Sequence, residues 1–337
     1  MNKIAIASLL SLGAFAAQAE TTYPYILQNC GQSVTFETKP ETAVSVGQAT
    51  TEILYALGLD ETNLLGTGVW FDDVAAEYAA VNAKVDRLAD NDPSFESIVG
   101  KRPDLVTIEY EWHIGPDGMI ATRDQFHDLG IDTYVLPTDC VGKDNSEGVD
   151  GTRSVAFSTS SIYQGISEIA DIFNISAEGD ALVARLQDRE VSAIERAKAL
   201  NIDDASAVVW YSSVDLESDP YVAGQKGAPA YMLSQLGMRN VVQSDEEWPL
   251  VGWETIIKSD PSFIVIAKME RRRFDGDDVA KKLEFLKTDP VASQMTAVKE
   301  DRIIVLDVSQ MNATMRLISG LETLTDALEA YENGQQG

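Results

Sequence analysis

The stretches "FESIVGKRPDLVTI" (residues 95–108) and "WETIIKSDPSFIVI" (residues 253–266) are two versions of one pattern. In each, an aromatic residue and a glutamate open a short apolar-periodic run, and a proline follows the glutamate by seven positions, Pro103 after Glu96 and Pro261 after Glu254. Proline cannot continue a helix, so each run reads as a helix closed by a turn. The β-branched apolar runs that follow, "LVTI" and "FIVI", read as buried strands. One helix–turn–strand unit used twice implies two related α/β lobes.

The flanking sequence extends each copy in the same style. Before the first lie the strand "TAVSV", the helix "ATTEILYALGL" with Ile53, Leu54 and Leu57 on one face, and the strand "NLLGTGV". Around the second lie the strand "ASAVVWYSS" and the helix "APAYMLSQLGM". Strands alternating with helices predict α/β lobes with mainly parallel sheets. Between them, about Glu178 to Leu200 carries Leu182, Leu186 and Ile194 at helical spacing, no proline, and alternating charges on its outer positions. Some 23 such residues make a rod of about 35 Å, long enough to join two lobes across a cleft. The expected organisation is a leader at 1–19, a first lobe at 20–176, a linker helix at 177–200 and a second lobe at 201–337.

The leader "MNKIAIASLLSLGAFAAQAE" has Lys3, an apolar core too short to span a membrane, and Ala17 and Ala19 before Glu20. No cysteine stands at the cleavage point, which predicts an exported periplasmic protein without a lipid anchor. "YILQNCGQSVTFE" reads as a hairpin turning at Asn29, Cys30 and Gly31. Cys30 and Cys140 are the two cysteines, and in an oxidising compartment they are expected to pair. With 54 acidic against 26 basic side chains, nucleic acid is excluded as a partner.

Signal peptide, hairpin, α/β lobe, single long helix and second α/β lobe, with "TTEILYALGL", "SFESIVGKRPDLV", "VGWETIIKSDPSFIVI" and "DRIIVLD" in that order, resemble the iron-siderophore and cobalamin class of periplasmic substrate-binding proteins of ABC importers. The resemblance runs from about Tyr23 to Leu328. It implies a monomer that carries a small-molecule metal chelate to a permease dimer, with no catalysis and no resident cofactor or metal. It also implies that Glu96 and Glu254, one on each lobe, pair with arginines of the permease. An acid in the first helical turn is favoured by the helix dipole in any case.

In such a protein the ligand cleft is lined by the loops after the strands. These supply Gln48, Trp70 with Phe71, Tyr110, Trp112 and His113 from the first lobe. From the second they supply Trp210, Tyr211, Tyr221, Trp248, Arg271, Arg272, Arg273, Met311 and Asn312. As a set they predict a flat, partly aromatic ligand. The three arginines follow a strand, where open α/β sheets bind ligands, and guanidinium groups hold carboxylates and delocalised anions. They point to an anionic ferric siderophore. Heme is the alternative that Tyr110, Tyr211 or His113 can ligate; cobalamin suits the tryptophans but not three positive charges. A free transition-metal ion calls for more histidines than His113 and His127. An enzyme would need a motif such as G-x-S-x-G, a Walker glycine run or H-E-x-x-H, and none is present.

Overall fold

The computed structural model describes residues 20–115, 118–146, 150–200, 202, 204–272 and 274–335; the leader at 1–19 and Arg273 lie outside them. The chain opens with the antiparallel hairpin β1 (Tyr25–Asn29) and β2 (Gln32–Phe36). Its two turn residues, Cys30 and Gly31, have φ of 50° and 77°. That left-handed pair matches the twist of a two-residue hairpin turn. Cys30 is bonded to Cys140, with 5.4 Å between the Cα atoms, as the cysteine pair predicted.

The first lobe continues through β3 (Ala43–Val46), α1 (Gln48–Ala56), β4 (Leu64–Gly68), α2 (Ala79–Asn82), α3 (Phe95–Val99), β5 (Leu105–Ile108), α4 (Arg123–His127) and β6 (Asp132–Val135). β3 to β6 form a parallel sheet in the order β4-β3-β5-β6. The interior strands β3 and β5 are buried along their whole length, so they read as unbroken apolar runs rather than as alternating ones. Two short strands, β7 (Lys143–Asp144) and β8 (Thr152–Arg153), pair antiparallel beyond this sheet.

After α5 (Ser160–Ile172), the linker helix α6 runs Ser176–Lys198. Leu182, Leu186, Glu190, Ala193 and Ala197 form its buried stripe, at the spacing one face of a helix requires. That face packs on α5 and on the C-terminal helix. Glu190 is the polar exception: it accepts hydrogen bonds from Thr159 Oγ1 (2.9 Å), Tyr163 Oη of α5 (2.6 Å) and Tyr231 Oη of the second lobe. A buried carboxylate holding three hydroxyls satisfies its own lone pairs and ties both lobes to the helix between them.

The second lobe comprises β9 (Ser206–Ser212), β10 (Tyr221–Val222), α7 (Ala228–Gln235), β11 (Arg239–Asn240), α8 (Trp253–Ser259), β12 (Phe263–Lys268), α9 (Val279–Thr288), α10 (Thr296–Lys299), β13 (Ile303–Asp307) and α11 (Leu317–Gln335). Its sheet has the order β10-β9-β12-β13, with β11 also on β9; only β10 is antiparallel. The repeated unit is therefore α3–β5 in one lobe and α8–β12 in the other, and each copy supplies an interior strand. The fold is the expected pair of α/β lobes with mainly parallel sheets, joined by one long helix.

Candidate functional site: the cleft between the lobes

A cavity of about 510 Å³ lies between the lobes, lined by residues of both. That volume is in the range of small-molecule sites. Its walls are aromatic on both sides. From the first lobe, Tyr110 and Trp112 stack at 4.4 Å with ring planes 7° apart, and Phe71 meets Tyr110 edge-on at 6.2 Å. From the second, Tyr211 at the end of β9 stacks on Trp248 at 4.3 Å and 25°. Tyr221, Asn312, Met119 and Phe274 add to the apolar and neutral lining.

The remaining wall is charged. Glu109, Asp139, Asp150, Glu247 and Asp277 line the cavity, against Lys143 and Arg153. Both cations are already committed. Lys143 Nζ lies 2.7 Å from Asp139 and 3.8 Å from Asp150, and Arg153 Nε donates to Glu247 Oε2 at 2.6 Å. Burial pulls the Lys143 ammonium down, but Asp139, Asp150 and Glu247 outweigh it, so the group stays above its ordinary value. Burial pushes the Glu109 carboxyl up to about 7, although it accepts from the Ala49 N–H and from Tyr110. Burial likewise pushes Asp150 up to about 7, with Lys143 opposing and Asp139 and Glu247 adding to the rise. Acids therefore outnumber bases here five to two, and no base is left unpaired by an acid.

Arg153 and Glu247 also join the lobes. Arg153 N–H donates to the Asp245 carbonyl at 3.2 Å, and Glu247 N–H donates to that of Gly151 at 3.0 Å. The back of the cleft is thus a short strand of one lobe hydrogen-bonded to a loop of the other.

Of the expected ligand residues, Phe71, Tyr110, Trp112, Tyr211, Tyr221, Trp248 and Asn312 come together in the cavity. Arg273 lies outside the described residues, and the remaining ones are placed elsewhere, each for a local reason. Trp70 is 1% exposed, donates to Thr67 Oγ1 (3.3 Å) and lies under the Arg87 guanidinium. Trp210 is equally buried and packs edge-on against Trp253 at 4.8 Å, because it points to the other face of its strand from Tyr211. His113 is buried against Asp92 (2.9 Å), and Met311 is fully buried in the core. Gln48 is buried too: its Oε1 accepts from the Phe71 and Asp72 N–H groups, and its Nε2 donates to Glu52 and to the Asp73 carbonyl. Arg271 donates to the Trp70 carbonyl and to Asn91 of the first lobe, and Arg272 is exposed and paired with Asp278.

The residues that sequence reasoning missed are chiefly the charged ones, Glu109, Asp139, Lys143, Asp150, Arg153 and Glu247. One signal was available. The segment between β6 and α5 is long for a connection in a compact domain and carries little apolar periodicity, and such loops are commonly functional. Among the described residues, no cluster of three or more His, Cys, Asp or Glu side chains is arranged to hold a metal ion, and no helix is long and apolar enough to cross a membrane.

A family model described as "Periplasmic binding protein" matches residues 44–309. The chain is 27% identical to the Bacillus subtilis (strain 168) "Uncharacterized ABC transporter substrate-binding lipoprotein YvrC", over 93% of this chain and 88% of that protein. That relative is a lipoprotein, which corrects the expectation of a periplasmic protein without a lipid anchor. Among solved structures, a periplasmic binding protein from Veillonella parvula superposes with a TM-score of 0.73 at 22% identity, covering 90% of this chain and 96% of its own. A protein of an ABC-type Fe3+-hydroxamate transport system from Saccharomonospora viridis superposes with a TM-score of 0.71 at 25% identity, covering 91% and 99%.

Proposed function

Because the chain belongs to the periplasmic binding protein family, whose members capture small ligands for ABC transporters rather than catalyse reactions, we propose that its cleft takes a flat metal chelate without net negative charge, a corrinoid, for delivery to a permease. The observation that carries this reading is the pair of aromatic stacks from opposite lobes, Tyr110–Trp112 and Tyr211–Trp248, set in a cavity whose acids exceed its bases. Stacked rings offer flat faces and edges to a flat macrocycle. Carboxylates around them accept hydrogen bonds from the amide N–H groups on a corrin rim and repel carboxylate or catecholate oxygens.

An anionic siderophore was expected from Arg271 to Arg273, of which Arg273 lies outside the described residues. Arg271 reaches into the first lobe instead and Arg272 is held by Asp278, so neither contributes to the cavity lining. A ferric hydroxamate is the second reading. It too can be neutral or cationic, and the Saccharomonospora viridis protein belongs to a hydroxamate system.

Titration of the purified protein by tryptophan fluorescence against cyanocobalamin, a ferric trihydroxamate, hemin and a ferric tricatecholate tests the proposal. Cyanocobalamin is expected to bind tightest and the tricatecholate at least 100-fold more weakly. Tightest binding of the tricatecholate overturns it. We further propose that Glu96 and Glu254 face the permease: both are exposed, at equivalent places in the first turns of α3 and α8.

A further inference from the structure

The loop after β4, residues 70–73, carries Phe71 into the ligand cavity, and its backbone is held from the opposite lobe by two arginines. Arg271 binds the Trp70 carbonyl and donates its backbone N–H to the Phe71 carbonyl (3.4 Å), with its guanidinium 5.4 Å from the Phe71 ring centre. Arg316, just before α11, reaches the same loop from the other side. Its Nη1 donates to the Asp73 carbonyl at 3.0 Å and lies 3.6 Å from Glu52; its Nη2 lies 3.6 Å from Asp72 and 3.3 Å from Asp307.

The receptacle is built rather than incidental. Glu52 and Asp72 are buried, and Gln48 orders them by donating to Glu52 and accepting from the Phe71 and Asp72 N–H groups. Glu52 also accepts from the Ala75 N–H. The side facing the second lobe holds Asp307, which Lys268 also approaches at 3.5 Å. Arg316 is the cation shared by these three carboxylates. Withdrawing it on opening would leave two buried acids of the first lobe facing an empty socket, and a buried charge that loses its partner is costly. The contact therefore favours the arrangement in which Phe71 is set against Tyr110.

We propose that Arg316 is a positioning residue for the ligand site: it grips the 70–73 loop across the cleft, and so couples closure of the lobes to placement of the Phe71–Tyr110 wall. This inference rests on the same cavity being the binding site, but part of its test needs no ligand. Spin labels on Glu96→Cys and Glu254→Cys, one on each lobe, report the inter-lobe distance, since the native cysteines are bonded to each other. Arg316→Met is expected to lengthen or broaden that distance distribution in ligand-free protein. It is also expected to weaken cyanocobalamin at least tenfold, mainly through faster dissociation, with Arg316→Lys restoring part of the loss. Asp72→Asn is expected to act in the same direction and to add little on top of Arg316→Met, because both break one contact. If Arg316→Met does not fold, Asp72→Asn carries the test. Unchanged distances and dissociation rate in the folded variant overturn the proposal. A changed distance in a protein whose parent binds no cyanocobalamin overturns the corrinoid reading and leaves the grip standing.

Discussion

The two copies of the helix–turn–strand unit keep the same frame and diverge at the strand end. In the first lobe, β5 runs out into Glu109 and Tyr110, both of which line the cavity. At the equivalent positions the second lobe has Ala267 and Lys268. Ala267 is buried in the core, and Lys268 turns to Glu270 (2.8 Å) and Asp307. The second lobe instead takes its aromatic wall from β9 and the 247–248 segment, as Tyr211 on Trp248. Beneath it, the buried Lys282 donates to the Tyr211 and Ala267 carbonyls, at 2.6 and 3.3 Å, and burial lowers its pKa to about 8. Duplication thus preserved what the sheet needs, a helix and a buried strand, and left the strand ends free to differ.

If the frame is what the copies share, Glu96 and Glu254 should act alike. Reversing both to Lys is expected to abolish uptake of cyanocobalamin by proteoliposomes holding the transporter, while ligand affinity changes less than about threefold, because a charge reversal at a rim breaks docking without touching the cleft. A matching loss of affinity would put these residues in the ligand site and break the comparison.

The two aromatic walls differ in support, so their truncation should differ as well. Trp248 is 7% exposed and stacks on a tyrosine whose backbone is anchored by a buried lysine, whereas Trp112 is half-buried on a short 3₁₀ turn. Trp248→Ala is expected to cost about 2–3 kcal/mol of binding, roughly 30- to 150-fold, as for a well-packed hot spot. Trp112→Ala is expected to cost less, and calorimetric titration of both decides. A larger loss from Trp112 would mean that the first lobe holds the main ligand face.

The smallest effect belongs to Glu109, which has no acidic counterpart in the second lobe. Its folded pKa, about 7, lies above the ordinary carboxylate range because burial disfavours the charged form. The stability this group contributes is complete below about 4.5 and is lost as pH rises through 7, since the folded state then holds a proton the unfolded chain has released. Glu109→Gln is expected to flatten the fall in stability between pH 5 and 8 by about one proton, measured by denaturant unfolding at several pH values. Asp150 has the same sign of shift, so some slope should remain. An unchanged slope would show that Glu109 is not the titrating acid.

How far the site could be read in advance follows from the same divergence. Seven expected ligand residues met in the cavity, most of them at or near strand ends, where the chain order already put them. Trp210 was misplaced because the regular alternation of β9 gives the cleft to Tyr211 and the core to Trp210, and Trp70 because it lies two residues beyond β4, where alternation no longer assigns a face. There a single turn decides whether a ring enters the cleft or the core. The charged wall escaped notice because Lys143 and Arg153 stand among acids in a stretch without periodicity, and nothing in the linear order shows that Arg153 meets Glu247 across 94 residues.

By itself the sequence determined the two α/β lobes, the linker helix that runs Ser176–Lys198, the hairpin at Cys30–Gly31 and the cysteine pair. Each depends on local periodicity, on turn residues or on a count of partners. Only the tertiary structure decided the sign of the cavity's charge and the use of Arg271 and Arg316. Those depend on which side chains face one another where the two lobes meet, and a guanidinium on a flexible stem goes to the carbonyls and carboxylates within its reach there.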